Sequence, residues 1–419
     1  MLSARWGLDY ILNRYAGIYQ GLSPKSPKRF NIPSFVEVEN NIESIVQLTE
    51  TELRKKFKLF KFRKPLVVSG ERTWEVAGKR IYEDISESKS LVDYTIIKSN
   101  SISEVERIVK EGTRRLSLGE IADSSSLSEY DTMHSNITCG LKRHNLIYAV
   151  GGGSVIDVAK MAAHNLNIPW ISVPTTLSND GFASQFAVIN LGEKGVHTLT
   201  ANVPLGVIVD TNLIKSNDVS YERRIRSGIG DLLSNITAVL DWELADDLPE
   251  DDSRHERIDH IERAWAVSGA ESIIRIIGEN KAIVYDNGFI QDLAVYLIMS
   301  AEAMGRHGSS RPASGFEHKM YHMYNQITQY QPKATHGEIV AVGTLLSSYA
   351  HEKHYDELQC AFGKIGLPTS ERDLGEIGIQ KDDVKQAIAM SSDFRKGRYT
   401  ILDEKGSDYL IDCVDKVFR

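Results

Sequence analysis

An unbroken apolar run, Leu146-Ile147-Tyr148-Ala149-Val150, passes straight into Gly151, Gly152 and Gly153 and then into an apolar helical stretch over 155–163. A segment this short and this apolar predicts a strand buried on both faces, and the helix behind it predicts a parallel crossover. The pattern recurs. Strands are expected at 35–38, 65–70, 94–97, 170–174 and 207–210, with helices at 42–57, 73–85 and 102–116. Strands alternating with helices require a mostly parallel sheet covered on both faces.

Beyond about Thr211 the strand signals fade, and helices are expected at 231–245, 255–279, 286–305, 315–330, 338–353 and 381–390. A chain of 419 residues exceeds one simple core. The expected fold class is therefore an α/β N-terminal domain with a Rossmann-like, mostly parallel sheet, followed by an all-α C-terminal domain. The active site should lie in the cleft between them. Residues 1–33, with Ser23-Pro24-Lys25-Ser26-Pro27-Lys28 as a linker, read as an N-terminal extension. Residues 34–214 would form the dinucleotide-binding domain and residues 215–419 the helical metal- and substrate-binding domain.

Net charge −8 argues against a nucleic-acid surface. The three cysteines, Cys139, Cys360 and Cys413, form no CxxC pair and suit a reducing compartment. No run of about 18 apolar residues offers a membrane span, and the opening Met1-Leu2-Ser3-Ala4-Arg5-Trp6 lacks the apolar core of a secretion signal. A cytoplasmic location is expected.

Chemistry concentrates at three places. Gly151-Gly152-Gly153-Ser154-Val155-Ile156-Asp157 sits between strand and helix, where glycines let amide groups approach a pyrophosphate and the helix N-terminus adds positive charge. It is not GxGxxG, and the alternative is a tight turn needing positive φ. Pro174-Thr175-Thr176-Leu177-Ser178-Asn179-Asp180-Gly181-Phe182-Ala183-Ser184 follows the next strand and places hydroxyls, an amide and a carboxylate at its carboxyl end. Asp231, inside Gly228-Ile229-Gly230-Asp231, together with two of His318, His322 and His336, makes a candidate shell for one divalent ion. His318 and His322 share a helical face at i,i+4, so spacing leaves open whether His322 or His336 completes the shell. Such an ion would polarise a carbonyl toward hydride, with His322 exchanging the proton.

The segments GGGSVIDVAK (151–160), PTTLSNDGFAS (174–184), GIGDLLSNITAVLDWELA (228–245), SRPASGFEHKMYH (310–322) and HGEIVAVGT (336–344) resemble, in order, the iron-containing alcohol dehydrogenase and dehydroquinate synthase superfamily. The likeness covers roughly residues 35–419, and DWELA with SRPASG favours its glycerol-1-phosphate dehydrogenase branch. The resemblance implies NAD- or NADP-linked reduction of a small phosphorylated triose, dihydroxyacetone phosphate, to sn-glycerol 1-phosphate, a precursor of ether lipids in phospholipid biosynthesis. It implies one divalent metal, zinc in most members and nickel or iron in relatives, held by Asp231, His318 and His336. The catalytic set would be Asp180, Asp231 and His322, with Asp180 and His322 touching substrate. Gly152, Gly153, Ser154, Val155, Ile156, Asp157, Thr175, Thr176, Leu177, Ser178 and Ser184 would line the cofactor. A homodimer or higher homo-oligomer is the family-implied assembly.

Phe316 departs from the small residue common before Glu317-His318, and a ring there is expected to narrow the pocket. Arg311, Lys319 and Lys333 are candidate phosphate partners, while Glu71 and Arg72 bear on NAD against NADP. A glycerol or polyol dehydrogenase is the alternative activity. A dehydroquinate-synthase-like cyclase and a non-catalytic relative rank below it.

Overall fold

The computed structural model describes residues 32–56, 64–88, 91–112, 144–217, 221–279, 285–330 and 332–419. Nearly all of the expected N-terminal extension, and Cys139, lie outside them.

Six parallel strands form one sheet: β1 (Phe35–Glu39), β2 (Leu66–Gly70), β3 (Asp93–Ile97), β4 (Ile147–Gly151), β5 (Trp170–Pro174) and β8 (Gly206–Asp210), in the order β1-β8-β5-β4-β2-β3. All six are the strands expected from their apolar runs. Two more, β6 (Phe186–Asn190) and β7 (Val196–Thr200), pair antiparallel as a separate hairpin that the sequence pattern does not announce. Their side chains are mostly half-buried or exposed, so no continuous apolar run marks them.

The sheet is covered on both faces, as parallel strands require. Val67, Tyr148, Val150, Ile171 and Ile208 face one layer with Leu53, Ile81 and Ile85. Alternate residues Val68, Ile147, Ala149, Val207 and Val209 face the other, which runs without a break into the helical half. Strand order sets the site. The chain leaves β2 toward β3 on one side and leaves β4 toward β5 on the other, so a crevice opens past the ends of β2 and β4. Gly70 and Gly151 end those two strands.

The sheet strands all precede residue 211; from residue 221 onward the described residues hold helices and no strand. The helix expected to start at Asp231 instead spans Tyr221–Asp246, with Asp231 well inside it. Gly228 and Gly230, which precede Asp231 in the sequence, are needed for space. A Cβ on Gly228 would lie 2.0 Å from the Leu177 carbonyl oxygen, and one on Gly230 would lie 2.5 Å from that of Gly337. Helices Tyr355–Ile365 and Ser407–Val417 extend the helical half beyond the expected set. Among the described residues no helix is long and apolar enough to cross a membrane.

Candidate active site

Each metal-ligand candidate is placed by local structure that the sequence encodes. His336 is the first residue of helix His336–His351. Thr335 caps that helix: its hydroxyl accepts from the Glu338 amide, and Glu338 accepts from the Thr335 amide at 2.7 Å. Such a capping box contributes about 1 kcal/mol and fixes where the imidazole starts. Arg223 holds Glu338 through two hydrogen bonds of 2.8 Å. Gly337 lets the long helix carrying Asp231 pass beneath, since a Cβ there would lie 1.7 Å from the Ser227 carbonyl oxygen.

His318 lies in the first turn of helix Phe316–Ile327. Asp241, fully buried on the long helix, accepts from the Phe316 amide at 2.7 Å, from Ile401 N at 2.7 Å and faces His351 Nε2 at 2.9 Å. It pins the start of the His318 helix to the end of the chain. The Phe316 ring points into the apolar core and does not line the cavity, so the expected narrowing is not found. Facing helices leave room for the ring in the interior.

These elements bring Asp231, His318 and His336 together, with ligand atoms within 4.8 Å of one another. Asp231 Oδ1 lies 2.8 Å from His336 Nε2 and 3.6 Å from His318 Nε2. Bonds of about 2 Å in a tetrahedral shell put ligand atoms roughly 3.5 Å apart, so small side-chain shifts suffice to close it. The other carboxylate oxygen, Oδ2, accepts from the Asp180 amide at 3.0 Å. His318 Nδ1 faces Glu317 Oε1 at 3.0 Å, which leaves Nε2 for the ion. The donor set fits a divalent cation with an open position.

Electrostatics agree. Burial alone would raise the Asp231 carboxyl, but His336 and His318 outweigh it and hold the group ionised. Burial would lower His318, yet Asp231 and Glu317 carry its pKa up to about 9. Carboxylates that hold an extra proton on this ring are equally suited to a metal ion. Burial, then the Asp231 charge, push the Asp180 carboxyl up to about 7, against the hydrogen bond from Ser300 Oγ at 2.8 Å.

His322 does not join the shell. Its ring lines the same cavity one helical turn on, 5.1 Å from the Phe394 ring, and makes no hydrogen bond among the described residues. Burial and the nearby Arg395 guanidinium hold it well below the usual imidazole range. A neutral ring with free nitrogens suits hydrogen bonding to a substrate hydroxyl.

The cavity of about 510 Å³ joins this cluster to the glycine turn. Gly152, Gly153, Ser154, Val155, Asp157, Thr176, Ser178, Asp180 and Ser184 all line it. Ile156, Thr175 and Leu177 do not; each is fully buried in the core, so only their backbones are left to serve a ligand. The turn does not need positive φ: Gly152 is extended at φ −80°, and neither neighbour is left-handed. Space is the requirement, since a Cβ on Gly151 would fall 2.6 Å from Val155. Helix Gly153–Leu166 begins here; the Val155 and Ile156 amides donate to the Gly152 carbonyl, which leaves those of Gly153 and Ser154 at the helix N-terminus to meet an anion.

Several contributors escape a reading of the sequence. Phe186, Val188 and Thr198 of the unannounced hairpin wall the cavity, and Asp157 ties that hairpin down by accepting from the Val188 amide at 3.1 Å. Arg395 lines the helical end. Arg311, Lys319 and Lys333, the expected phosphate partners, do not line the cavity. Arg311 is buried against Glu256 at 3.2 Å, and Lys319 against Asp403 at 3.3 Å. Both are drawn inward as structural cations, each against a partly buried carboxylate.

Residues 47–217 match the family model described as iron-containing alcohol dehydrogenase. A glycerol-1-phosphate dehydrogenase [NAD(P)+] of Methanococcoides burtonii is 34% identical over 337 residues, covering 80% of this chain and 82% of that protein. One from Archaeoglobus fulgidus is 37% identical over 272 residues, covering 63% of this chain and 72% of its own length. Among solved structures, glycerol dehydrogenase from Schizosaccharomyces pombe superposes with a TM-score of 0.67 at 18% identity, covering 94% of this chain and 91% of that one, a likeness of fold. Identity sustained over four-fifths of both chains shows that this protein belongs to the glycerol-1-phosphate dehydrogenase family, NAD(P)-dependent dehydrogenases acting on a CH–OH group.

Proposed function

We propose that the chain reduces dihydroxyacetone phosphate to sn-glycerol 1-phosphate with NADH or NADPH, using one divalent ion, zinc, held by Asp231, His318 and His336. The observation that carries this reading is the convergence of those three side chains within 4.8 Å, in the cavity that the glycine turn also lines. The substrate follows from the names of the relatives, which act on glycerol 1-phosphate. In this reading residues 34–214 bind the dinucleotide, and residues 215–419 bind ion and triose. When bound, the ion supplies Lewis-acid polarisation of the substrate oxygen and the nicotinamide supplies the hydride.

The chain's own residues do the rest. Amides at the start of helix Gly153–Leu166 bind the pyrophosphate, and Thr176, Ser178 and Ser184 orient the cofactor beside them. Asp180, held by Ser300 and tied to Asp231 through its own amide, positions the triose next to the ligand cluster. His322 passes a proton between the substrate oxygen and solvent, its ring nitrogens making no hydrogen bond among the described residues. Arg72 lines the cavity after β2, where a ribose 2′-phosphate would meet it, so both NADH and NADPH are expected to serve. We place the enzyme in the cytoplasm, where Cys360 and Cys413 stay reduced, as a homodimer.

The test is oxidation of NADH and of NADPH by the zinc-loaded full chain, with dihydroxyacetone phosphate or free dihydroxyacetone, alongside metal analysis of the same sample. Preference for the phosphorylated triose with one ion per chain is expected. Equal or faster turnover of dihydroxyacetone would move the assignment to a polyol dehydrogenase, and no coenzyme consumption with either would end it.

A further inference from the structure

We propose that Arg395 is the residue that recognises the substrate's phosphate, and so sets the preference for a phosphorylated over a free triose. The inference rests on the function proposed above and names the chemistry at one end of that cavity. Arg395 lies between helices Lys381–Ser391 and Ile401–Lys405, with a left-handed backbone at φ +49°. That conformation costs a non-glycine residue about 1 kcal/mol, and here it turns the side chain into the cavity shared by His318, His322 and His336.

Its surroundings are what single it out. Every other buried cation nearby is answered by the protein: Arg311 by Glu256, Lys319 by Asp403, and Arg398 by the Ser310 hydroxyl at 3.0 Å and the Ser314 carbonyl at 2.8 Å. The Arg395 side chain makes no hydrogen bond or ion pair among the described residues; its guanidinium lies 5.2 Å from the Phe394 ring centroid and the residue is half-buried. Burial lowers its pKa with no carboxylate opposing it. A cation withdrawn from water without an anion is costly, and the cost is recovered when a ligand brings the anion.

The geometry selects a phosphate. A guanidinium fork matches two phosphate oxygens. Ser310 and Ser314 line the cavity beside it; Arg398 donates to Ser310 Oγ, which leaves that hydroxyl's proton free to point at the same oxygens. Arg398 and Arg311 stand behind as further positive charge. Phe394 packs between Arg395 and His322, and His322 is one helical turn from His318. An anion on Arg395 thus lies a short span from the ion site, as in a triose whose phosphate hangs from the carbonyl carbon through one methylene and one ester oxygen. The pyrophosphate is bound elsewhere, at the glycine turn.

Arg395→Met and Arg395→Lys decide the matter. The readout is kcat/KM for dihydroxyacetone phosphate divided by that for dihydroxyacetone. Each hydrogen bond to a charged partner is worth about 1.5–3 kcal/mol, so Arg395→Met should lower this ratio roughly 10–100-fold, through KM for the phosphate ester. Arg395→Lys should recover part of it. Inorganic phosphate, competing with the ester in the wild type, should lose potency by the same factor, while the Kd for NADH and the bound metal stay as they were. A ratio within about threefold of wild type in both variants, or an equal loss with both substrates, would overturn the proposal. If Arg395→Met loses metal and NADH binding together, it has unfolded and the ratio in Arg395→Lys decides. A wild type that fails to prefer the phosphate ester sinks the functional reading itself, whereas a preference that survives in both variants sinks only the role of Arg395.

Discussion

Glu317 Oε1 stands 3.0 Å from His318 Nδ1, so the residue preceding a metal-ligand candidate holds that ligand's ring. The same carboxylate is itself fixed: Oε1 accepts from the Gly315 amide at 2.5 Å, and Oε2 accepts from the Thr237 hydroxyl at 3.2 Å. Fully buried and held by these two hydrogen bonds, the side chain is fixed behind the imidazole and sets the tautomer that presents Nε2 to the ion. Glu317→Gln keeps the shape and removes the charge. Zinc affinity, measured by competition with a chromogenic chelator, should fall about 10–100-fold. Unchanged affinity would mean that the pair serves folding alone.

Gly337 is the point where two helices touch backbone to backbone, a Cβ there meeting the Ser227 carbonyl oxygen at 1.7 Å. Ser227 also fastens the contact, donating to the Ser178 carbonyl at 2.9 Å and accepting from the Gly337 amide at 3.0 Å. Gly337→Ala must push the helix bearing His336 away from the one bearing Asp231. Overpacking of this kind costs about 1–3 kcal/mol. Lower denaturant midpoint together with weakened metal binding is expected. Substitution of exposed Gly363, whose Cβ would meet nothing within 4 Å, is the control and should leave metal binding intact.

How much of this was readable beforehand follows from where each residue finds its partners. Buried parallel strands are continuous apolar runs, so all six of the sheet stood out. Asp231, His318 and His336 are of metal-binding type, and Asp231 and His336 adjoin Gly230 and Gly337, glycines that helix crossings demand, which is why they stand out as candidates. His336 over His322 was decided by the family likeness; only the fold, by starting one helix at His336, brings that ring 2.8 Å from Asp231. Asp241 could not be assigned a task, because the amides it accepts from, Phe316 and Ile401, are remote in the chain. Arg395 looks like any cation in the basic stretch Arg395-Lys396-Gly397-Arg398. Which of these cations lacks an internal hydrogen-bond partner is settled by packing alone, and the same packing withdraws Arg311 and Lys319 from the cavity.

Asp231→Ala should abolish turnover and the bound ion together. Asp231 supplies the carboxylate that faces both imidazoles, so its loss leaves two neutral donors and no anion to offset a dication. Because an ion that binds only the folded state stabilises it by mass action, zinc at about 100 times its Kd should add roughly 2.7 kcal/mol to the wild type. No such gain is expected for the variant. Metal analysis and thermal melts with and without zinc check both halves. Retention of a stoichiometric ion by Asp231→Ala would remove the carboxylate from the shell.

Glu302 gives a pH dependence unconnected with the ion. Its side chain is buried, and neither carboxylate oxygen has a hydrogen-bond partner among the described residues. Burial pushes its pKa from 4.5 up to about 7, the charge of Arg306 opposing only in part. The folded protein therefore keeps a proton that the unfolded chain releases above about pH 4.5, and folding stability must fall as pH rises between those values. The full loss is of order 3 kcal/mol, complete once pH exceeds the folded pKa. Glu302→Gln is neutral throughout and escapes it. Urea midpoints at pH 5 and pH 8 should show the variant gaining on the wild type by about that amount at the higher pH. A difference between the two proteins that stays constant across this range would show that Glu302 is ionised in the folded state, stabilised by Arg306 more strongly than burial opposes it.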